Sequence, residues 1–354
     1  MLYKLKDIFD LQMGKTPSRN NIEYWNTNDY KWVAIADLTK TDKYIYDTKE
    51  YLSKKAVNES GIKIITANTV ILSFKLSIGK TAITAEDMYS NEAIMAFHDK
   101  HIVEILPEYI FYLFKYKNWD DGSNKAVMGK TLNKAILSEV EIDICSIEEQ
   151  RKIVNVLDKI MNLISARKKE LSYLDTFTKA RFVEMFGDPI INSKGLETKE
   201  LNEVLVLKAG DFTAASDISV EPTEINIYPC YGGNGIRGYV AEYNQEGEYS
   251  LVGRQGALSG NVQYATGKFK NTEHALLVKP IIRMNSIWLN QLLLNLDLKR
   301  YQTGAAQPGL SVKNLQDIQI IMVPIDEQRQ FAAFVNEIDK SKSAVKKALD
   351  ETQL

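Results

Sequence analysis

The sequence predicts an α+β molecule built twice over: two mixed α/β heads in a pseudo-twofold duplication, joined by two long helices that form an antiparallel coiled coil. Three observations predict it. The segment Ile147-Glu148-Glu149-Gln150-Arg151 recurs as Ile325-Asp326-Glu327-Gln328-Arg329, displaced by 178 residues in a chain of 354. The same offset sets Leu132 on Leu310, Leu137 on Leu315, Val140 on Ile318, Ile142 on Ile320 and Ile144 on Met322, so two alternating apolar strands precede the two copies, one before each. Each copy then opens a segment whose apolar residues recur in steps of four and three, the spacing of a heptad seam.

Taken in order, the first head spans 1–145 and opens with a short amphipathic helix carrying Leu5, Ile8 and Phe9. A helix over 146–187 follows, with Ser146 as N-cap and Glu149 completing the S-x-x-E capping box. Its seam is Ile153, Leu157, Ile160, Ile164, Leu171 and Leu174, with Arg167 as a charged member. Such a helix is about 60 Å long at ~1.5 Å per residue, too long to fold back onto one head. Gly187, suited to a left-handed C-terminal position, and Pro189 end it. The second head spans 188–323, and a second helix over 324–354 starts at Pro324. Its seam is Phe331, Val335, Ile338, Val345 and Leu349, with Lys342 as the charged member. Neither apolar stripe is stable in water, and packing the duplicated helices on each other satisfies both. The repeat extends weakly into the heads, where Gly79 falls near Gly260, Glu92 near Glu273, and the run Tyr109–Phe114 near Trp288–Leu293.

Composition narrows the function. Hydrophobic residues make up 45% of the chain, enough for two cores, and Lys plus Arg (44) nearly balance Asp plus Glu (46), so any nucleic-acid surface is local. Two cysteines, Cys145 and Cys230, and three histidines are too scattered for a zinc site or a disulfide framework, which predicts a reducing compartment. The opening residues hold no apolar leader core and no stretch approaches ~18 apolar residues, so a cytoplasmic protein without a membrane anchor is expected.

The chemical motifs have the wrong surroundings. Gly233-Asn234-Gly235-Ile236-Arg237-Gly238 satisfies G-x-G-x-x-G, but Tyr239-Val240-Ala241 after it reads as strand, where a dinucleotide site needs a helix. Gly-Lys-Thr occurs at 14–16, 79–81 and 129–131, yet Phe9, Phe74 and Asn124 stand where a phosphate-binding loop needs glycine. His98 and His101 lack a third ligand, so no metal site is expected. Asp188, Glu197 and Lys199 loosely match the D…E-x-K pattern of metal-dependent nucleases, but Asp188 already has a role in ending the helix. No catalytic residue is assigned, and the chain reads as a binder.

Three kinds of loop suit recognition instead. Lys15, Thr16, Ser18 and Arg19 place cations and hydroxyls beside Pro17, a set that fits phosphate. Arg254, Gln255 and Ser259 sit among four glycines that permit close backbone approach, and Arg or Gln can contact base edges with two prongs. The corresponding loop of the first head carries Lys75 and Lys80, and Tyr231, Asn234 and Arg237 form a further Gly-rich turn in which Tyr231 is expected to be exposed.

On these residues the chain resembles, over essentially its whole length, the specificity subunit of type I restriction-modification systems. The resemblance rests on Lys4-Leu5 through Gly14-Lys15-Thr16-Pro17-Ser18-Arg19, on Trp32-Val33-Ala34-Ile35-Ala36-Asp37-Leu38, on Tyr231-Gly232-Gly233-Asn234-Gly235-Ile236, on the two Glu-Gln-Arg helix starts and on Phe186-Gly187-Asp188-Pro189. It implies two target recognition domains joined by a coiled coil, each reading one half of a split double-stranded DNA target while the helices fix the spacer. It further implies a non-catalytic chain without its own cofactor. Adenine-N6 methylation from S-adenosylmethionine would lie in two modification subunits, and ATP- and Mg-dependent cleavage in restriction subunits. The alternatives are the specificity subunit of a type IIB system and a metal-dependent nuclease using Asp188, Glu197 and Lys199.

Overall fold

The computed structural model describes residues 1–353 except 26, 76, 120–131 and 305–307; the third Gly-Lys-Thr, at 129–131, and the terminal residue of the predicted second helix lie outside the described residues. The chain divides into two compact units, Met1–Leu163 and Ile164–Leu354.

The first unit runs β1 (Leu2–Lys4), α1 (Leu5–Ile8), β2 (Phe9–Met13), β3 (Tyr30–Val33), α2 (Ile35–Lys40), β4 (Tyr44–Ile45), β5 (Glu50–Leu52), α3 (Lys54–Ser60), β6 (Val70–Ser73), β7 (Thr81–Thr84), β8 (Tyr89–Ser90), β9 (Ile94–Asp99), α4 (Pro107–Tyr116), α5 (Lys134–Ser138) and β10 (Glu141–Asp143), then the first part of α6 (Ile147–Phe186). Its main sheet has the order β2-β9-β6-β7-β4. Strand alternation splits the apolar residues between two faces. Val70, Leu72, Met95 and Phe97 pack with α1, α4 and Leu137, while Ile71, Ala82, Ile94 and Ala96 pack with Val33, Leu38 and Ile45.

The second unit holds the rest of α6, then β11 (Thr198–Glu200), α7 (Leu201–Val204), β12 (Leu205–Ala209), β13 (Tyr228–Gly232), β14 (Gly235–Val240), β15 (Gln245–Gly253), β16 (Val262–Asn271), β17 (Ala275–Pro280), α8 (Ser286–Asn295), α9 (Val312–Leu315), β18 (Gln319–Ile321) and α10 (Ile325–Gln353). Its sheet order is β12-β17-β15-β16-β13-β14. The first four strands repeat the order β2-β9-β6-β7 of the first unit, and the small pair β1-β10 is repeated as β11-β18. One detail shows how closely the copies agree. At Gly14 a Cβ would lie 2.2 Å from the Asn91 carbonyl oxygen, and at Gly210 it would lie 2.1 Å from that of Asn271, so both first strands leave the sheet through a contact only glycine tolerates.

The recurrent Glu-Gln-Arg has a structural cause. Gln150 is fully buried; its Nε2 donates to the carbonyls of Glu104 and Cys145, both at 3.0 Å, and its Oε1 accepts from Leu106 N at 2.9 Å. Gln328, 2% exposed, donates to the Val323 carbonyl at 2.7 Å and accepts from Asn285 N at 2.8 Å. Leu106 and Asn285 are the N-caps of α4 and α8, so each glutamine ties a long helix to the short helix of its own head.

Several expectations are revised. Leu137 and Leu315 lie on the helical turns α5 and α9, and the alternating strand before each long helix is confined to the short β10 or β18. Burial drives these turns: both leucines are fully buried in the cores. The helix seams also serve the heads. Ile153 and Leu157 pack on the core of the first unit, and Phe331 and Val335 belong to that of the second. Ile160, placed in the seam, is 36% exposed. Within the second unit, α6 meets α10 through the seam residue Phe331 and through residues beyond the predicted seam: Phe182 and Phe331 rings stand edge to face at 5.4 Å, Phe177 and Phe334 at 5.3 Å. Lys342, the charged seam member, is held by Asp175 of α6 at 2.7 Å. Ser146 does cap α6, its Oγ accepting from Glu149 N at 3.3 Å, and Gly187 takes the left-handed conformation (φ +80°) after its last turn.

Candidate nucleic-acid interface

In each head the recognition loops leave one end of the sheet together. In the second head the β13–β14 turn, the β15–β16 loop, the β16–β17 connection and the segment around Pro308 are tied to one another. At Gly253 a Cβ would fall 2.1 Å from the Gly233 carbonyl oxygen, so glycine lets two loops touch. Arg254 N donates to the His274 carbonyl at 3.1 Å, Gly256 N to that of Pro308 at 2.9 Å, and Leu310 N to that of Arg254 at 2.8 Å. Asn261 Nδ2 donates to Asn234 Oδ1 at 2.6 Å. On this platform Asn234 and Gln255 are exposed, Arg254 is half-buried, and Arg254 makes no ion pair among the described residues. Arg237 stands exposed on β14, and the G-x-G-x-x-G lies on a β-hairpin.

Two expectations fail here for the same reason, burial. Ser259 is fully buried, its Oγ without a partner among the described residues, and has no path to a base edge. Tyr231 is half-buried, its ring edge to face with Phe269 at 5.4 Å, and burial raises its hydroxyl pKa. It supports the platform from beneath.

In the first head the loop after β2, the β6–β7 loop and the residues before β9 converge in the same way. Lys15 N donates to the Ser90 carbonyl at 2.8 Å, and Phe74 N to that of Ala93 at 2.9 Å. Lys80 is exposed, and Lys75 lies with its Nζ 5.3 Å from the Phe74 ring centre. The loop at 15–19 is less free than its sequence suggests. Lys15 Nζ donates to the Ser60 carbonyl, and the Thr16 hydroxyl donates to the Glu92 carboxylate, the main cause of that carboxyl's lowered pKa. Ser18 remains exposed, but Arg19 is committed: its guanidinium takes both oxygens of Glu50 and covers the Trp25 ring at 3.8 Å. The expected phosphate contact by Arg19 therefore gives way to a structural one.

The residues singled out for metal chemistry do not assemble. No group of three or more His, Cys, Asp or Glu suited to a metal ion occurs among the described residues. Asp188 accepts from Ile190 N at 2.8 Å in the turn after α6. His98 and His101 line a cavity of about 800 Å³ with Arg151, at the other end of β9 from the recognition loops; burial lowers the His98 pKa, and its Nε2 has no partner among the described residues. The sequence reading missed His274 and Glu273 as members of the second-head platform. Their position just before β17, matching Glu92 before β9, was the available signal.

Comparison with known proteins agrees with this architecture. The sequence model of the family described as the type I restriction modification DNA specificity domain matches residues 1–173 and 193–352. The chain is 30% identical over 349 residues to the type I restriction enzyme EcoprrI specificity subunit of Escherichia coli, covering 95% of this chain and 86% of that protein. It is 31% identical over 242 residues to the MjaIX specificity subunit of Methanocaldococcus jannaschii, covering 63% and 55%. In fold it is similar to the type I restriction-modification S subunit of M. genitalium, with a TM-score of 0.59 at 16% identity, covering 100% of this chain and 92% of that one. Two matched domains in one chain, on a fold that repeats its sheet, place the protein in the family of type I restriction-modification DNA specificity subunits.

Proposed function

We propose that the chain is the non-catalytic subunit that chooses the DNA sequence on which a type I restriction-modification complex acts. The observation that carries this reading is the doubled platform: the same four-stranded order and the same loop end occur in both heads, within a chain that belongs to the specificity family. The first head (1–145) and the second (188–323) each read one half of a split double-stranded target. The helices over 146–187 and 324–354 pair as an antiparallel coiled coil that sets the spacer and docks two modification subunits, with restriction subunits joining the assembly. In that division of labour this chain holds no cofactor. S-adenosylmethionine serves adenine-N6 methylation in the modification subunits, and ATP and Mg serve the restriction subunit. No described helix is long and apolar enough to cross a membrane, and a cytoplasmic site of action is proposed because the target is DNA.

Lys15, Thr16, Ser18, Lys75 and Lys80 in the first head, and Asn234, Arg237, Arg254 and Gln255 in the second, are the proposed DNA contacts. The cations would meet phosphate, and the amides and Arg254 base edges. The test is the adenine methylation map of the source genome with and without this gene. Loss of methylation at one split motif supports the reading, and an unchanged map in cells that express the complex overturns it.

A further inference from the structure

Gln255 is exposed at the tip of the β15–β16 loop, but its side chain is not free to turn. His274 Nδ1 lies 2.7 Å from Gln255 Oε1. An amide oxygen only accepts, so the ring nitrogen donates, and the amide orientation is fixed by the imidazole. The imidazole is fixed in turn. With Nδ1 donating, Nε2 also donates, to Glu273 Oε1 at 3.1 Å, when the ring carries both protons, and the backbone carbonyl of His274 receives Arg254 N at 3.1 Å. Glu273 Oε2 is buried without a partner among the described residues, so this carboxylate has Nε2 as its side-chain contact in the cluster. The neighbouring Gly256 is anchored to the Pro308 carbonyl at 2.9 Å, which holds the loop from its other side.

We infer that Glu273 and His274 form a positioning relay that presents the Gln255 Nε2 amino group, and not its carbonyl, to the DNA, and so sets one base position of the sequence read by the second head. This rests on the DNA-reading role proposed above. An amide turned freely would read adenine with both prongs, as donor and acceptor together. With Oε1 turned to His274, what remains toward the groove is a donor, and the base edges that accept a donor in the major groove are guanine N7 and O6, adenine N7 and thymine O4. The relay is therefore a selector against bases whose exposed edge offers only a donor there, as the cytosine amino group does.

The experiment is long-read methylation mapping of cells that express the full complex with variants of this chain. His274→Ala is expected to relax one position of the second-head half-site, raising methylation at the disfavoured bases about tenfold, the scale of one base contact. The half-site read by the first head stays as it was. His274→Asn, whose Nδ2 can replace the ring Nδ1 as donor, restores the wild-type motif, a rescue that a merely structural role would not give. Gln255→Glu lies at the surface, threatens no core, and replaces the donor by an acceptor, so the same position shifts toward cytosine or adenine. A motif left unchanged by both His274→Ala and Gln255→Glu overturns the relay. Failure of the underlying reading is seen elsewhere, in a gene deletion that leaves the whole methylation map intact.

Discussion

At the scale of single residues, the two glutamines of the repeated segment show what a recurrent motif can encode. Each is buried and each satisfies backbone groups that its head and its long helix would otherwise leave unpaired. Removing one partner strands the others in a water-poor site, at a cost of about 2–3 kcal/mol. Gln328→Ala is accordingly expected to lower the unfolding free energy of the second unit by that amount, read as a lower urea midpoint, and Gln150→Ala to do the same in the first. An unaltered midpoint in either variant would count against the clamp. Residue roles were legible in the sequence only where they depend on neighbours close in the chain. Ser146 and Gly187 took their predicted places because caps are local. Arg19, Tyr231 and Ser259 did not, because Glu50, Phe269 and the β15–β16 loop wall reach them only after the sheet has formed.

Elements follow the same division. The long helices were legible because their periodicity accumulates over many turns, and β10 and β18 because apolar residues alternate there, whereas β1 and β11 have three residues each and exist by pairing across more than a hundred positions. The junction of β1 and α1 with α5 gives an electrostatic test. Lys4 and Lys6 both bond the Glu139 carboxylate, and those bonds lower its pKa to about 2. A carboxyl whose folded pKa lies below its unfolded value of 4.5 supports the fold above that value and loses this support as pH falls toward 2. Glu139→Gln should therefore melt earlier than the wild type at pH 7 and with it at pH 2; a difference that persists at pH 2 would point to packing instead. The aromatic junction of α6 with α10 is the apolar counterpart. Phe182 touches the rings of Phe186 and Phe331 and is fully buried, so Phe182→Ala should cost about 3–5 kcal/mol, read as a loss of thermal stability in the second unit.

For the whole molecule the governing quantity is charge. A net charge of -2 gives DNA no general attraction, and the first-head loop spends Arg19 on Glu50 and sets Glu92 beside Thr16, which repels phosphate. Counterion release scales with the number of phosphates neutralised, with a slope of about -0.9 per phosphate in log K against log salt. A chain with so few uncommitted loop cations should show a shallow slope and bind alone no better than about 10⁻⁶ M at physiological salt, the range of non-specific binding. Added modification subunits should steepen that slope and bring specific affinity to about 10⁻⁸ M or tighter by enclosing the duplex. Fluorescence anisotropy over a salt series, with and without those subunits, measures both. Tight, site-specific binding by the chain alone would show that its loops carry the electrostatics themselves. The heads would then be self-sufficient readers, and the proposed role of the helices as docking frames would be separable from DNA affinity.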